Sequence, residues 1–223
     1  MIHQIYGIFN DGIDWNDIPK YRDNIIATQD FCKFFNYDYK LWNLRECNEL
    51  IESDFIAYLD LWNNFRYPIQ RADFIRYCIL YKFGGLYIDC DIQPIKKLDD
   101  VFEKELFFVH WSNDKNKLLY NAVMGSQKGN QLFLNILEEC ERSYYEKSQI
   151  VAYEQWKGRF IFQTTGHRML ERVMKQQKIN KNKYFHDCLY IYNPDKKGMG
   201  AVGDMNNALF LDANASVWYS NLI

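Results

Sequence analysis

No stretch of this 223-residue sequence approaches the roughly 18 consecutive apolar residues of a membrane-spanning helix. Nor does any Cys-x-x-Cys pair occur among its six cysteines, which argues against a zinc ribbon or a thioredoxin-like redox site. Charge of one sign is scarce too: 27 Lys and Arg against 29 Asp and Glu leave a net charge of −2. That balance gives no electrostatic case for nucleic acid or an anionic membrane as the main partner. His3, His110, His167 and His186 are scattered without a His-x-x-x-His spacing, so zinc held on a helix is not indicated. The opening Met1-Ile2-His3-Gln4-Ile5 shows neither the basic region nor the apolar run of a signal peptide. The expectation is a reduced, cytoplasmic protein. Repeats, low-complexity tracts and linkers are missing as well, so residues 1–223 are read as a single domain.

Aromatics are plentiful, at 17% of residues. They suit sugar and base stacking, and they also fill cores. Ile2 to Ile8 reads as a buried first strand and Tyr21 to Phe35 as a helix. Tyr37 to Trp42 alternates like a strand, and short helices follow through Ile51 and around Tyr58 to Trp62. Pro68 to Phe83 is the clearest helix, begun by proline and closed at Gly84-Gly85. Leu86 to Ile88, Leu106 to His110, Ala122 to Met124 and Leu189 to Tyr192 read as strands. Gln131 to Lys147 and Gly166 to Gln177 read as helices. This alternation predicts an α/β fold with a parallel or mixed sheet covered on both faces.

Helix 68–83 carries charges where a covered helix should have none. From Phe74 to Phe83 only Arg76 and Lys82 interrupt an apolar run, so most of its circumference needs cover. Asp73 and Arg76 are three apart and share a face. Burying them is costly unless they pair with each other or meet a charged ligand. Either a structural ion pair or a polar site at the sheet's edge satisfies that demand.

Asp89 and Asp91 follow directly. A lone Asp-x-Asp arises easily by chance. This one ends a short strand that follows a glycine turn, and ligands in open α/β sheets bind beyond the carboxyl ends of strands. In an extended stretch residues i and i+2 face the same side. Two carboxylates so placed suit a hard cation such as Mn²⁺ or Mg²⁺, which also takes substrate phosphates. A solvated pair with no ligand is the alternative.

Arg71-Ala72-Asp73-Phe74-Ile75-Arg76-Tyr77, followed by Leu80 through Asp91, resembles the central signature of the glycosyltransferases whose sugar-binding region contains a DXD motif. That group includes yeast-type α-mannosyltransferases, capsular-polysaccharide transferases and, more distantly, the clostridial glucosylating toxins. Ile2 to Gly7 is similar to the family's first strand, with Tyr6 where a Trp is usual. Ser216-Val217-Trp218 resembles the toxin branch's Ser-x-Trp element. Thr165-Gly166-His167 resembles a Thr-Gly-Pro element, with His167 for proline.

The resemblance implies a GT-A-type, mixed but mainly parallel sheet flanked by helices, and retaining, metal-dependent transfer of a hexose from a nucleotide-sugar. It implies Asp91 as direct ligand of Mn²⁺ or Mg²⁺, with Asp89 on the ribose and metal-bound water. Asp73 and Arg76 are implied at the sugar hydroxyls, Arg76 also near the phosphates, and these four residues form the implied catalytic set. Tyr6 is implied beneath the base, Tyr87 in the donor pocket, and Ser216 and Trp218 at metal and diphosphate. Ala213 stands where the toxin branch has a carboxylate ligand, leaving Asp212, Asn214 or water to substitute. UDP-hexose is the preferred donor and GDP-mannose the next. The acceptor is a saccharide or lipid-linked saccharide, met by peripheral contact at the inner face of the plasma membrane during surface polysaccharide or capsule synthesis. A nucleotide-sugar-binding protein with little turnover is the alternative.

Overall fold

The computed structural model describes residues 1–9, 12, 14–110, 119–150, 156–191 and 205–212. Its main sheet has six strands: β1 (Ile2–Ile5), β2 (Tyr39–Trp42), β3 (Gly85–Ile88), β5 (Leu106–His110), β6 (Leu119–Ser126) and β7 (Phe185–His186). They lie in the order β2-β1-β3-β6-β5-β7. β1 pairs in parallel with β2 and β3, β6 runs antiparallel to both β3 and β5, and β7 is parallel to β5. Only β6 runs against the rest, which is the expected mixed, mainly parallel α/β arrangement. A second sheet joins β4 (Ile92–Pro94), β8 (Leu189–Ile191) and β9 (Phe210–Asp212) in the order β4-β9-β8.

Period-two alternation sends successive side chains to opposite cores. On β3, Tyr87 joins one cluster while Leu86 and Ile88 join the other. On β5, Leu106 and Phe108 face the first while Phe107 and Val109 face the second. The first core is closed by α4 (Pro68–Phe83), α6 (Gln131–Ser148), α7 (Lys157–Thr164) and α8 (His167–Gln176), through Phe74, Tyr77, Phe133, Phe160 and Leu170. The second is covered by α1 (Pro19–Phe35), α5 (Asp99–Phe102) and the small sheet. Both faces are buried, as a largely parallel sheet requires. Of the other helices, α2 spans Leu44–Asp54, α3 Leu59–Asn64 and α9 Lys181–Tyr184. None in the described residues is long and apolar enough to cross a membrane.

Helix α4 runs from Pro68 to Phe83 as its sequence predicts, and every residue from Ala72 to Leu80 is buried. Proline at its start forgoes an amide that would lack a helical partner, and Gln70 Oε1 accepts from the Tyr67 amide at 3.2 Å. The first strand is shorter than expected, ending at Ile5, because Gly7 turns the chain with φ of +79°. Strand β6 is longer than Ala122–Met124, since both its neighbours extend its ladder. Helix α7 and strands β4, β7 and β9 lie outside the expected set.

Beside the Gly84-Gly85 turn, His3 is fully buried and bonded at both nitrogens. Its Nε2 donates to the Gly84 carbonyl at 3.0 Å, and its Nδ1 accepts from Trp42 Nε1 at 3.2 Å. Protonation at Nδ1 would expel the indole N–H, and burial above all holds the ring's pKa down to about 4 from 6.5. Between those values the unfolded chain binds the proton and the folded one does not. His3 therefore adds stability that is complete above pH 6.5 and is lost as pH falls towards 4. The gap corresponds to about 3 kcal/mol. Asp73, pushed up to about 6 chiefly by burial, works in the opposite sense, favouring the fold more as pH falls from 6. Denaturation of His3→Gln and the parent across pH 4–7 should show their stability difference growing with pH, and a constant difference would refute this account.

Candidate active site

Strand β3 delivers Asp89 to the carboxyl edge of the main sheet, where the Asp89 amide donates to the Ala122 carbonyl of β6 at 2.9 Å. The extended geometry expected for Asp89-Cys90-Asp91 is not what forms. The Ile92 amide donates to the Asp89 carbonyl at 3.0 Å, closing a tight turn that feeds β4. The reason is topological: Ile92 pairs with Asp212 in the second sheet, so the chain must change direction within three residues. Two bonds from β1 fix the turn. Gln4 Nε2 donates to the Asp89 carbonyl at 3.2 Å, and Cys90 Sγ donates to the Ile5 carbonyl at 3.2 Å. Gln4 is itself oriented by Tyr39, whose hydroxyl donates to its Oε1 at 2.8 Å.

Behind the turn, Arg76 joins the helix charges to the paired aspartates. Its Nη2 lies 3.1 Å from Asp73 Oδ1 and its Nη1 3.2 Å from Asp89 Oδ1. Nη1 also donates to the Asn121 carbonyl at 2.9 Å, and Nε to the Ala72 carbonyl at 3.1 Å. The guanidinium stacks 4.7 Å from the Tyr87 ring, whose hydroxyl donates to Asp89 Oδ1 at 2.5 Å. Arg76 and Asp73 side chains are only 4% and 6% exposed, against 32% for Asp89. A buried charge set of this kind stands only when each lone pair and proton has a partner. Asp73 gains two more: Asn121 Nδ2 donates to Oδ1 and Thr165 Oγ1 to Oδ2, both at 3.0 Å.

The electrostatics follow from that packing. Burial raises the Asp73 carboxyl to about 6, against the lowering pull of Arg76 and Thr165. Burial also opposes the Arg76 charge, and Asp89, Asp73 and the neighbouring tyrosines together more than restore it, so the guanidinium stays protonated. The Tyr87 hydroxyl is held far above its ordinary pKa by burial, which keeps it a donor to Asp89.

Asp91 is half-buried at the turn. Its charge reaches two phenols, Tyr21 of α1 and Tyr120 of β6, both raised by burial first and then by neighbouring carboxylates. Tyr120 donates to Asp212 Oδ2 at 2.8 Å. Asp212, fully buried, thus stands near the turn on the strand that pairs with β4. Tyr6, half-buried, meets Tyr21 edge-on at 5.7 Å. Asp73, Arg76, Tyr87, Asp89 and Asn121 are therefore joined in one bonded network. Ser216 and Trp218, with Ala213 and Asn214, lie outside the described residues, as does the glycine-rich stretch 198–203. His110 is buried against Phe185 at 5.1 Å.

Among the described residues no group of three His, Cys, Asp or Glu is close enough to hold a metal ion. The turn nonetheless offers oxygen ligands only, one carboxylate half-buried and the other 32% exposed. That set fits a hard cation completing its shell from water and substrate phosphate. Gln4, Tyr21 and Tyr120 were not indicated by sequence reasoning. Gln4 alone leaves a trace, as a polar residue within the apolar Ile2–Ile5 strand.

Fold and turn together define the class: an α/β protein with paired carboxylates at the carboxyl edge of its sheet, backed by a buried arginine. Residues 7–108 match the family described as glycosyltransferase sugar-binding region containing DXD motif. The chain is 29% identical, over 99% of its length, to mannosyl phosphorylinositol ceramide synthase CSH1 of Saccharomyces cerevisiae, covering 52% of that protein. It is 35% identical over 64% of its length to SUR1, the synthase of the same title from that yeast, covering 35% of it. Inositol phosphoceramide mannosyltransferase 3 of Schizosaccharomyces pombe is 33% identical over 57% of the chain, which covers 35% of that relative. The chain thus spans about half or less of these proteins. Among solved structures, PaToxG glycosyltransferase aligns with a TM-score of 0.48 at 16% identity, over 79% of this chain and 68% of that one.

Proposed function

We propose that the protein is a retaining glycosyltransferase that moves a hexose from a nucleotide-sugar to a hydroxyl of a lipid-linked or saccharide acceptor. The observation that supports this most is Arg76, which ties the buried Asp73 to the exposed-edge Asp89. Asp91 and Asp89 would hold a divalent cation, which when bound would supply charge stabilisation for a departing diphosphate. Arg76 adds a fixed planar cation suited to phosphate or vicinal sugar oxygens. Asp73, oriented by Asn121 and Thr165, accepts from sugar hydroxyls. Tyr6 and Tyr21 frame the base end, while Tyr87 holds Asp89 in place. The relatives' titles shift the donor preference from UDP-hexose towards a mannose nucleotide. They also shift the acceptor from capsular polysaccharide towards a phosphoinositol lipid.

Incubation with Mn²⁺ and a panel of UDP- and GDP-sugars tests the reading. Sugar transfer or slow donor hydrolysis is the expected result. Binding without turnover of any donor would favour the binding-protein alternative. Asp91→Ala, at a half-buried turn position, should leave the fold intact and weaken Mn²⁺-dependent donor binding about 30-fold, or ~2 kcal/mol. Unchanged binding would remove Asp91 from the metal site.

A further inference from the structure

Gln4 is a primary amide with no exposed surface, on a strand that lies between two others of the main sheet. Burying such a group is costly unless both its donor and its acceptor are used. Both are. Tyr39 of β2 donates to Oε1 at 2.8 Å, which leaves Nε2 to donate to the Asp89 carbonyl at 3.2 Å. The Tyr39 hydroxyl bonds the Gln29 side chain of α1 in turn, and burial holds its pKa far above the ordinary value, so it keeps its proton. A line of neutral polar groups therefore runs from α1 through β2 and β1 to the aspartate turn.

The point where this line ends matters. The Asp89 carbonyl accepts from the Ile92 amide at 3.0 Å as well as from Gln4, which uses both of its lone pairs. The Asp89 carboxylate is anchored separately, its Oδ1 held by Arg76 and Tyr87. The peptide between Asp89 and Cys90 is thus the joint between the two aspartates. Turning that plane moves Asp91 against an Asp89 side chain that stays held. Cys90 Sγ also ties the turn to β1, at 3.2 Å from the Ile5 carbonyl, but a thiol is a weak donor. Gln4 is the stronger of the two restraints that β1 supplies.

Given the cation role proposed for Asp89 and Asp91, we infer that Gln4 is a positioning residue whose amide sets the spacing of the two carboxylates and so selects a small cation of strict geometry. Mg²⁺ demands a near-ideal octahedron, whereas Ca²⁺ tolerates irregular shells. Loss of Gln4 should therefore harm Mg²⁺ binding more than Ca²⁺ binding, while a mere loss of stability would weaken both alike. Two variants test this: Gln4→Met, and Tyr39→Phe, which keeps the amide but removes the hydroxyl that orients it. Mn²⁺ binding in the presence of UDP or GDP is followed by water-proton relaxation, with Mg²⁺ and Ca²⁺ titrated in as competitors. Gln4→Met should weaken Mg²⁺ about tenfold and Ca²⁺ by no more than about twofold, with Tyr39→Phe weakening Mg²⁺ about threefold. Where Gln4→Met fails to fold, Tyr39→Phe alone decides. Parental Mg²⁺ affinity in the folded variants would overturn the inference and leave the cation role of the aspartates standing. Equal losses for the two competitors would overturn it as well. A parent that binds no Mn²⁺ would remove that cation role and the inference together.

Discussion

Arg76→Met should lower transferase turnover by about 10²–10³-fold and cost on the order of 3–5 kcal/mol of folding stability. Methionine matches much of the arginine stem but carries no charge. In the parent, Arg76 balances Asp73, whose side chain is 6% exposed and has no other cation paired with it among the described residues. Removing it leaves a carboxyl already raised to about 6 with only Asn121 and Thr165 as donors. Asp73 then folds protonated at neutral pH and loses the acceptor role proposed for it towards a sugar hydroxyl. Asp89 fares better, because Tyr87 and solvent remain. Arg76→Lys keeps the charge and loses the fork that spans both aspartates, so its stability should fall between the two. Urea denaturation alongside donor consumption separates the effects. A stable Arg76→Met protein with parental turnover would show that the network is only structural.

The second large effect is expected at the glycine turn. Gly84 has φ of +68°, and a Cβ there would meet the Lys128 amide nitrogen at 2.6 Å and the Ser126 carbonyl at 3.0 Å. Gly85, with φ of +88°, would place its Cβ 2.5 Å from the Met1 carbonyl. Both obstacles are backbone atoms, in the turn after β6 and just before β1, rather than side-chain tips that could swing aside. Alanine at either position should cost roughly 3 kcal/mol or more, strain and collision together. Gly129 is the internal control. It also has positive φ, of +75°, but nothing lies within 4 Å of its would-be Cβ, so alanine there should cost only about 1 kcal/mol. Equal losses at Gly84 and Gly129 would mean that close approach contributes nothing. Because the Gly84 carbonyl also receives His3, a displaced turn should move β3 and the Asp89 turn with it.

The legible parts of this molecule are those written locally. Helix α4, the glycine pair and β3 follow one another with proline, apolar run and positive φ in sequence order, and strand 106–110 carries a plain apolar run. What could not be read depends on partners far along the chain. Strands β4, β7 and β9 have two or three residues each and exist through the strands beside them. The Asp89–Ile92 turn contains neither glycine nor proline and is imposed by the pairing of Ile92 with Asp212. Helix α7 begins Lys-Gly-Arg with no side-chain cap, so nothing local announces it. At the site, Asp73 and Arg76 stood out because charge in an apolar helix conflicts with its surroundings. Asn121 and Thr165 reach Asp73 from 48 and 92 residues away, a distance no local pattern encodes.

Strand β1 lies between β2 and β3, and its Gln4 and Ile5 hold the aspartate turn across 85 residues. Contacts that distant in sequence are closed late, after the entropy of the intervening loop has been overcome. Helices α1 to α4 can form and collapse beforehand, but the turn has no scaffold until the first and ninetieth residues meet. In kinetic terms the carboxylate pair is one of the last features to acquire its shape. A chain caught before that step would hold most of its helices and no organised donor site.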